Sequence, residues 1–179
     1  MVISFWGEQK PVAAFVATGF NFYRGFLFFS LSCQPGSASM ADMKYPRSPK
    51  EQVGGIVYFG RMVDKIRLMA AGELHSDLHA NLGQGFDERI TTFVAVDYSD
   101  VKNHVLLGGS DDEVLEWCFQ EGKRPTAEEI EIWNSFMAKR GWGDELSERL
   151  ASRKKESGFE NRDDIQTMFH YIDADEGRM

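Results

Sequence analysis

The chain has 179 residues, 42% of them hydrophobic and 27% charged, proportions that exclude a disordered or fibrous protein. Its 20 Lys and Arg stand against 28 Asp and Glu, a net charge of −8. The whole excess lies beyond Asp42, where 18 basic residues face 26 acidic ones, an imbalance that argues against nucleic-acid binding, which needs clustered cations to neutralise phosphates.

One basic cluster, Arg149, Arg153, Lys154 and Lys155, shares its stretch with Glu145, Glu148 and Glu156 and reads as a solvated face. The length suits one domain able to bury a core without a disulfide or metal staple. Two cysteines, Cys33 and Cys118, make no disulfide framework and suit a reducing cytosol.

Residues 1–39 are rich in aromatics and lack a clear helical period. Their most apolar window carries Asn21 and Arg24 near its middle, and a central Arg costs about 2.5–3.5 kcal/mol on insertion into a bilayer. Gly25–Leu31 resembles the apolar part of an export signal, with Ser37-Ala38-Ser39 as its cleavage site, but the preceding segment is long and weakly basic. The simpler expectation is a start at Met40 or Met43. Residues 1–43 are then a loosely packed extension outside the fold, and residues 44–179 form the domain.

From Ser48 onward the chain repeats a helix grammar. Ser48-Pro49-Lys50-Glu51 has the form of a capping box. Ile56, Phe59, Val63, Ile66 and Ala70 follow at helical spacing, with Gly72 as the stop. Gly54 and Gly55 weaken the first turn of that helix without ending it. Phe86–Val94 and Ser99–Leu107 read as two further helices. Ser110-Asp111-Asp112-Glu113 and Thr126-Ala127-Glu128-Glu129 are two more capping boxes, closed by Gly122 and Gly141. The second opens a helix with Ile130, Trp133, Phe136 and Met137 facing inward. Asp144 caps the next helix, which Gly158 ends. Asn161 or Arg162-Asp163 opens a last one, with Ile165, Met168, Phe169 and Ile172 inward. No stretch alternates long enough for a sheet. The fold class is all-α, a single-domain bundle of about six or seven helices.

Several constellations could carry chemistry. His75 and His79 stand one turn apart if their stretch is helical, and two such imidazoles can share a metal ion. A third ligand would come from Asp87, His104 or His170. Tyr58, Arg61, Asp64, Lys65 and Arg67 lie on or beside the first helix. They read either as a polar cleft wall for an anionic small molecule or as an amphipathic border in which Asp64 and Arg67 pair along the helix. Gly83–Arg89 is a tight turn into a helix whose positive end Asp87 and Glu88 occupy. Cys118 shares an inward stripe with Val114, Leu115 and Phe119, as a small core hydrophobe does. Asp173-Ala174-Asp175-Glu176-Gly177 imitates the start of a calcium loop, but its glycine is misplaced and the distal glutamate is absent.

The stretch Val53-Gly54-Gly55-Ile56-Val57-Tyr58-Phe59-Gly60-Arg61-Met62-Val63-Asp64-Lys65-Ile66-Arg67 resembles a bacterial domain-of-unknown-function family, the one catalogued as 5069. The likeness continues through Asn81–Asp87, Glu116–Phe119 and Glu131–Met137 to Trp142. It covers most of Tyr45–Met179 and none of the first forty residues. The resemblance implies a bacterial, cytoplasmic setting and assigns no catalytic residue or cofactor.

Two functional readings remain. The first is a non-enzymatic interaction module, docking a protein partner or self-associating, with no nucleic acid or membrane bound by the folded domain. It rests on the aromatic load of Trp117, Trp133, Phe136, Trp142 and Phe159. The second is a small-molecule or metal-dependent enzyme with its site between the first helix and the His75/His79 segment.

Overall fold

The computed structural model describes residues 43–179; the expectations placed on residues 1–39, and the boundary at residue 43, fall on or against the part outside it. The described chain is mostly helical. It begins with a two-stranded antiparallel hairpin, β1 (Gln52–Val53) and β2 (Ile56–Val57), and continues through α1 (Phe59–Ala71), a 3₁₀ helix (Ser76–Asn81) and α2 (Phe86–Val94). Then come α3 (Tyr98–Leu106), α4 (Asp111–Glu121), α5 (Ala127–Lys139), α6 (Ser147–Glu156) and α7 (Met168–Asp175).

The hairpin corrects the expected first helix. Gly54 and Gly55 both take positive φ, 56° and 81°, which a two-residue hairpin turn matching strand twist requires. A Cβ at Gly54 would also collide with Leu115 Cδ2. The two glycines therefore reverse the chain, and Ser48 and Glu51 form their local hydrogen bonds around a turn: the Ser48 amide donates to Glu51 Oε1 (3.3 Å) and Lys50 N donates to Ser48 Oγ (3.2 Å). α5 then pins the hairpin. Val57 N donates to Asn134 Oδ1 (3.0 Å), Asn134 Nδ2 to Gly55 O (2.7 Å) and Trp133 Nε1 to Val57 O (3.3 Å).

Both later capping boxes form in full, Ser110 with Glu113 and Thr126 with Glu129. Each satisfies two amides that a helix start otherwise leaves without partners. α2 covers the expected residues, and α3 starts one residue early. At the C-terminal end the reading shifts. Asp144 closes the turn before α6, accepting from Gly141 N (3.0 Å) and Leu146 N (2.8 Å), so the helix itself starts at Ser147. The last helix starts beyond Asn161 and Arg162, capped by Thr167, whose hydroxyl accepts from His170 N (3.3 Å). Ile165 is buried in the preceding turn.

The main core gathers Ile56, Phe59, Met62, Val63, Ile66, Ile90, Val94, Val101, Val114, Cys118 and Met137. A smaller cluster of Leu150, Ile165, Tyr171 and Ala174 joins α6 to α7. Burial pushes the Cys118 thiol up to about 12, so it stays protonated and packs as a hydrophobe. Two positions expected to face inward do not. Ala70 is exposed at the end of α1, and Phe136 lies on the outer side of α5.

Candidate functional site

Tyr58 stands at the start of α1 with φ 73°, a left-handed conformation uncommon for an aromatic residue. That backbone aims the buried ring between Phe86, edge-on at 5.4 Å, and Phe169, stacked at 6.1 Å. Tyr58, Arg61, Met62 and Lys65 recur at helical spacing and form one buried stripe. Lys65 Nζ lies 2.5 Å from Asp87 Oδ1 and 3.3 Å from Tyr58 Oη, while Tyr58 Oη donates to the same carboxylate oxygen at 3.0 Å. The other oxygen, Asp87 Oδ2, accepts from Gly83 N at 3.0 Å. Asp87 is fully buried, so this carboxylate serves a cation, a phenol and a backbone amide inside the fold.

Burial pushes the Tyr58 phenol well above its ordinary range, and the Asp87 carboxylate adds to the effect. Burial also lowers the Lys65 ammonium, against the pull of Asp87. Both shifts follow from the cost of charge in a medium of low dielectric.

Arg61 forms a second buried pair on the same stripe. Its guanidinium is 2% exposed and grips Glu176 through two hydrogen bonds, 2.9 Å to Oε2 and 2.5 Å to Oε1. It also donates to Arg47 O at 2.9 Å. Burial disfavours the Arg61 charge, but the Glu176 carboxylate outweighs it and raises the pKa. Arg178 completes the knot, donating to Glu176 Oε2 at 2.6 Å and to Pro46 O. The false calcium loop is thus a clamp. Asp173 holds Ser48 Oγ (3.0 Å) and Lys50 Nζ (2.9 Å), and Glu176 holds Arg61.

Asp64 and Arg67 do not pair with each other. Asp64 accepts from Arg47 Nε and Nη2, at 2.8 and 2.6 Å. Arg67 bonds Asp111 (2.6 Å) and Gly109 O (3.0 Å) at the start of α4. Asp111 also meets Arg47 at 2.8 Å. Of the five proposed binding residues, Tyr58 and Asp87 bond to each other directly, and Lys65 is the third member of their cluster. Its signal was its place one helical turn beyond Arg61 on the same face.

The histidines also separate. Their stretch is a 3₁₀ helix preceded by extended His75 (φ −56°, ψ 135°), so the one-turn spacing of an α-helix is lost. His75 stacks on Tyr45 at 4.4 Å, and His79 Nε2 lies 2.9 Å from Leu74 O. Among the described residues no three of His, Cys, Asp and Glu are grouped to hold a metal ion.

Two clefts open on the surface. One, about 560 Å³ between α2 and α5, is lined by Gly85, Glu88, Arg89, Thr92, Phe93 and Trp133, whose last two rings stack at 4.6 Å. The other, about 520 Å³, lies between α3 and α4 beside Trp117 and His104. Beyond the first cleft, the outer side of α5 exposes Ile132 (61%) and Phe136 (43%), and Trp142 (65%) follows its end. Arg89 and Arg140 lie 5.8 and 5.0 Å from the Phe136 ring centre.

These features define an all-helical domain closed around buried ion pairs, with aromatic residues on its outer faces. The chain belongs to the DUF5069 family, a domain of unknown function, whose model matches residues 43–178. A search of the curated proteins finds no match. No helix among the described residues is long and apolar enough to cross a membrane.

Proposed function

We propose that the domain is a protein-interaction module of a reducing cytosol and that its first partner is a second copy of itself, docked through the outer face of α5. One observation carries this reading. Glu128, Ile132, Ser135, Phe136 and Lys139 form a single outward stripe at helical spacing. Its centre is apolar, one end is acidic and the other basic. Neither Glu128 nor Lys139 enters a salt bridge among the described residues. A twofold interface brings the same patch of each subunit together, so the patch must complement itself. Two α5 helices packed antiparallel do so: Ile132 of each copy meets Phe136 of the other, and Glu128 of each copy faces Lys139 of the other.

A charge swap tests the pairing directly. Glu128→Lys or Lys139→Glu alone sets like charges opposite each other across the twofold axis and weakens self-association roughly tenfold. The double variant E128K/K139E restores it, read by sedimentation equilibrium on the full chain. Singles that associate as tightly as the unaltered protein contradict the antiparallel arrangement, as does a double variant that stays weak.

A further inference from the structure

The second cleft has a different character. α3 turns Val101 and Val105 toward the core, as an amphipathic helix should. On another side, Asp100, Asn103, His104 and Leu107 recur at helical spacing, and all four line the cleft. Across from them α4 contributes Trp117 and, one turn on, Glu121. His104 and Trp117 stack face to face, with ring centres 4.1 Å and planes only 5° apart, and together form an aromatic wall of the cleft. Val96 and Leu107, which is 84% exposed, supply further apolar surface, and Asp97 completes the rim.

The charges have one sign. Asp97, Asp100 and Glu121 line the cleft, and no Lys or Arg does. The two cations that follow Glu121 are engaged elsewhere, Lys123 with Glu129 at 2.5 Å and Arg124 with Glu116. Asp97 stands at the start of α3 without a side-chain capping bond, so no helix amide takes its carboxylate. Like charges facing one cleft repel each other, and a cation placed among them relieves that repulsion. A bare metal ion would use the carboxylates and leave the aromatic wall without a role. An ammonium on an apolar body uses both, through charge at the rim and through contact and cation–π attraction at the wall.

We infer that the α3/α4 cleft binds a small organic cation, one or more ammonium groups carried on an apolar body. Asp97, Asp100 and Glu121 hold the charge, and the His104–Trp117 wall with Leu107 holds the body.

Spermidine is the probe, titrated into the full chain by calorimetry at physiological salt, with the Trp117 indole N–H followed by NMR. One-to-one, saturable binding that shifts the Trp117 signal is expected. The double variant D97N/D100N should weaken it at least tenfold. The Asp97 side chain makes no capping bond that the change could remove, so this variant keeps its fold, checked by circular dichroism. E160Q/D163N makes the same charge change at exposed residues outside the cleft and should bind as the unaltered chain does. Trp117→Leu should weaken binding while leaving every carboxylate in place. Equal losses in both double variants would reduce the effect to general attraction by an acidic protein and overturn the assignment. So would displacement of spermidine by an equal concentration of magnesium, an unmoved Trp117 signal, or no saturable binding at millimolar probe.

Discussion

The stripe on α1 and the stripe on the outside of α5 use similar residue types to opposite ends. On α1, Tyr58, Arg61 and Lys65 are buried, and every polar head finds a partner inside the fold. On α5, Glu128, Ile132, Phe136 and Lys139 face outward, with the charged ends unpaired among the described residues. Buried ionic groups are tolerable only when they are fully hydrogen-bonded, and such a network leaves nothing over for a ligand. The α1 network therefore belongs to the architecture. Surface free for recognition lies where the aromatic and charged groups remain exposed.

The contrast can be broken first at Asp87. Asp87→Ala leaves the Lys65 cation and the Tyr58 hydroxyl buried without their acceptor and should cost about 3–5 kcal/mol, read by urea unfolding. If the double variant K65M/D87L regains most of that loss, the penalty is that of an orphaned buried charge. A loss below about 1 kcal/mol for Asp87→Ala would place the pair in solvent instead. Glu176→Ala comes next. A residue so near a chain end is usually dispensable, but this one holds a guanidinium that is 2% exposed. Its removal should lower stability by about 3 kcal/mol, whereas Arg178→Ala, at a partly exposed member of the same knot, should cost no more than about 1 kcal/mol. Thr126→Ala should cost about 1 kcal/mol through its lost helix cap, with self-association preserved, since Thr126 lies off the outward stripe.

Where helices start was readable wherever the signal is local. Ser110 with Glu113 and Thr126 with Glu129 each act within four residues, and both boxes form as expected. The same grammar misled at Ser48, because Gly54 and Gly55 favour a hairpin turn and a reversal there lets Asn134 and Trp133 pin the backbone. The α-helical spacing on which a shared face of His75 and His79 depended does not form, because the stretch is a 3₁₀ helix preceded by extended His75. The ionic core was the least legible part. Arg61 and Glu176 are 115 positions apart, and no local rule joins them. The calcium-loop look-alike, set aside for its misplaced glycine and missing glutamate, did contain the clamp residues, but their partners on α1 and before β1 appear only in the folded chain. On α5, Trp133 and Met137 face inward as their spacing implied, whereas Phe136 belongs to the neighbouring stripe, one helical step away.

The outer face of α5 is proposed as the interface between copies of this chain. Sedimentation equilibrium of the full chain at micromolar concentration measures it most directly, with Phe136→Glu run beside it. A mass twice the 20.3 kDa of the chain, falling to that of a monomer when Phe136 is replaced, is the predicted result. A monomer at every concentration tested, or a dimer indifferent to Phe136→Glu, would contradict it.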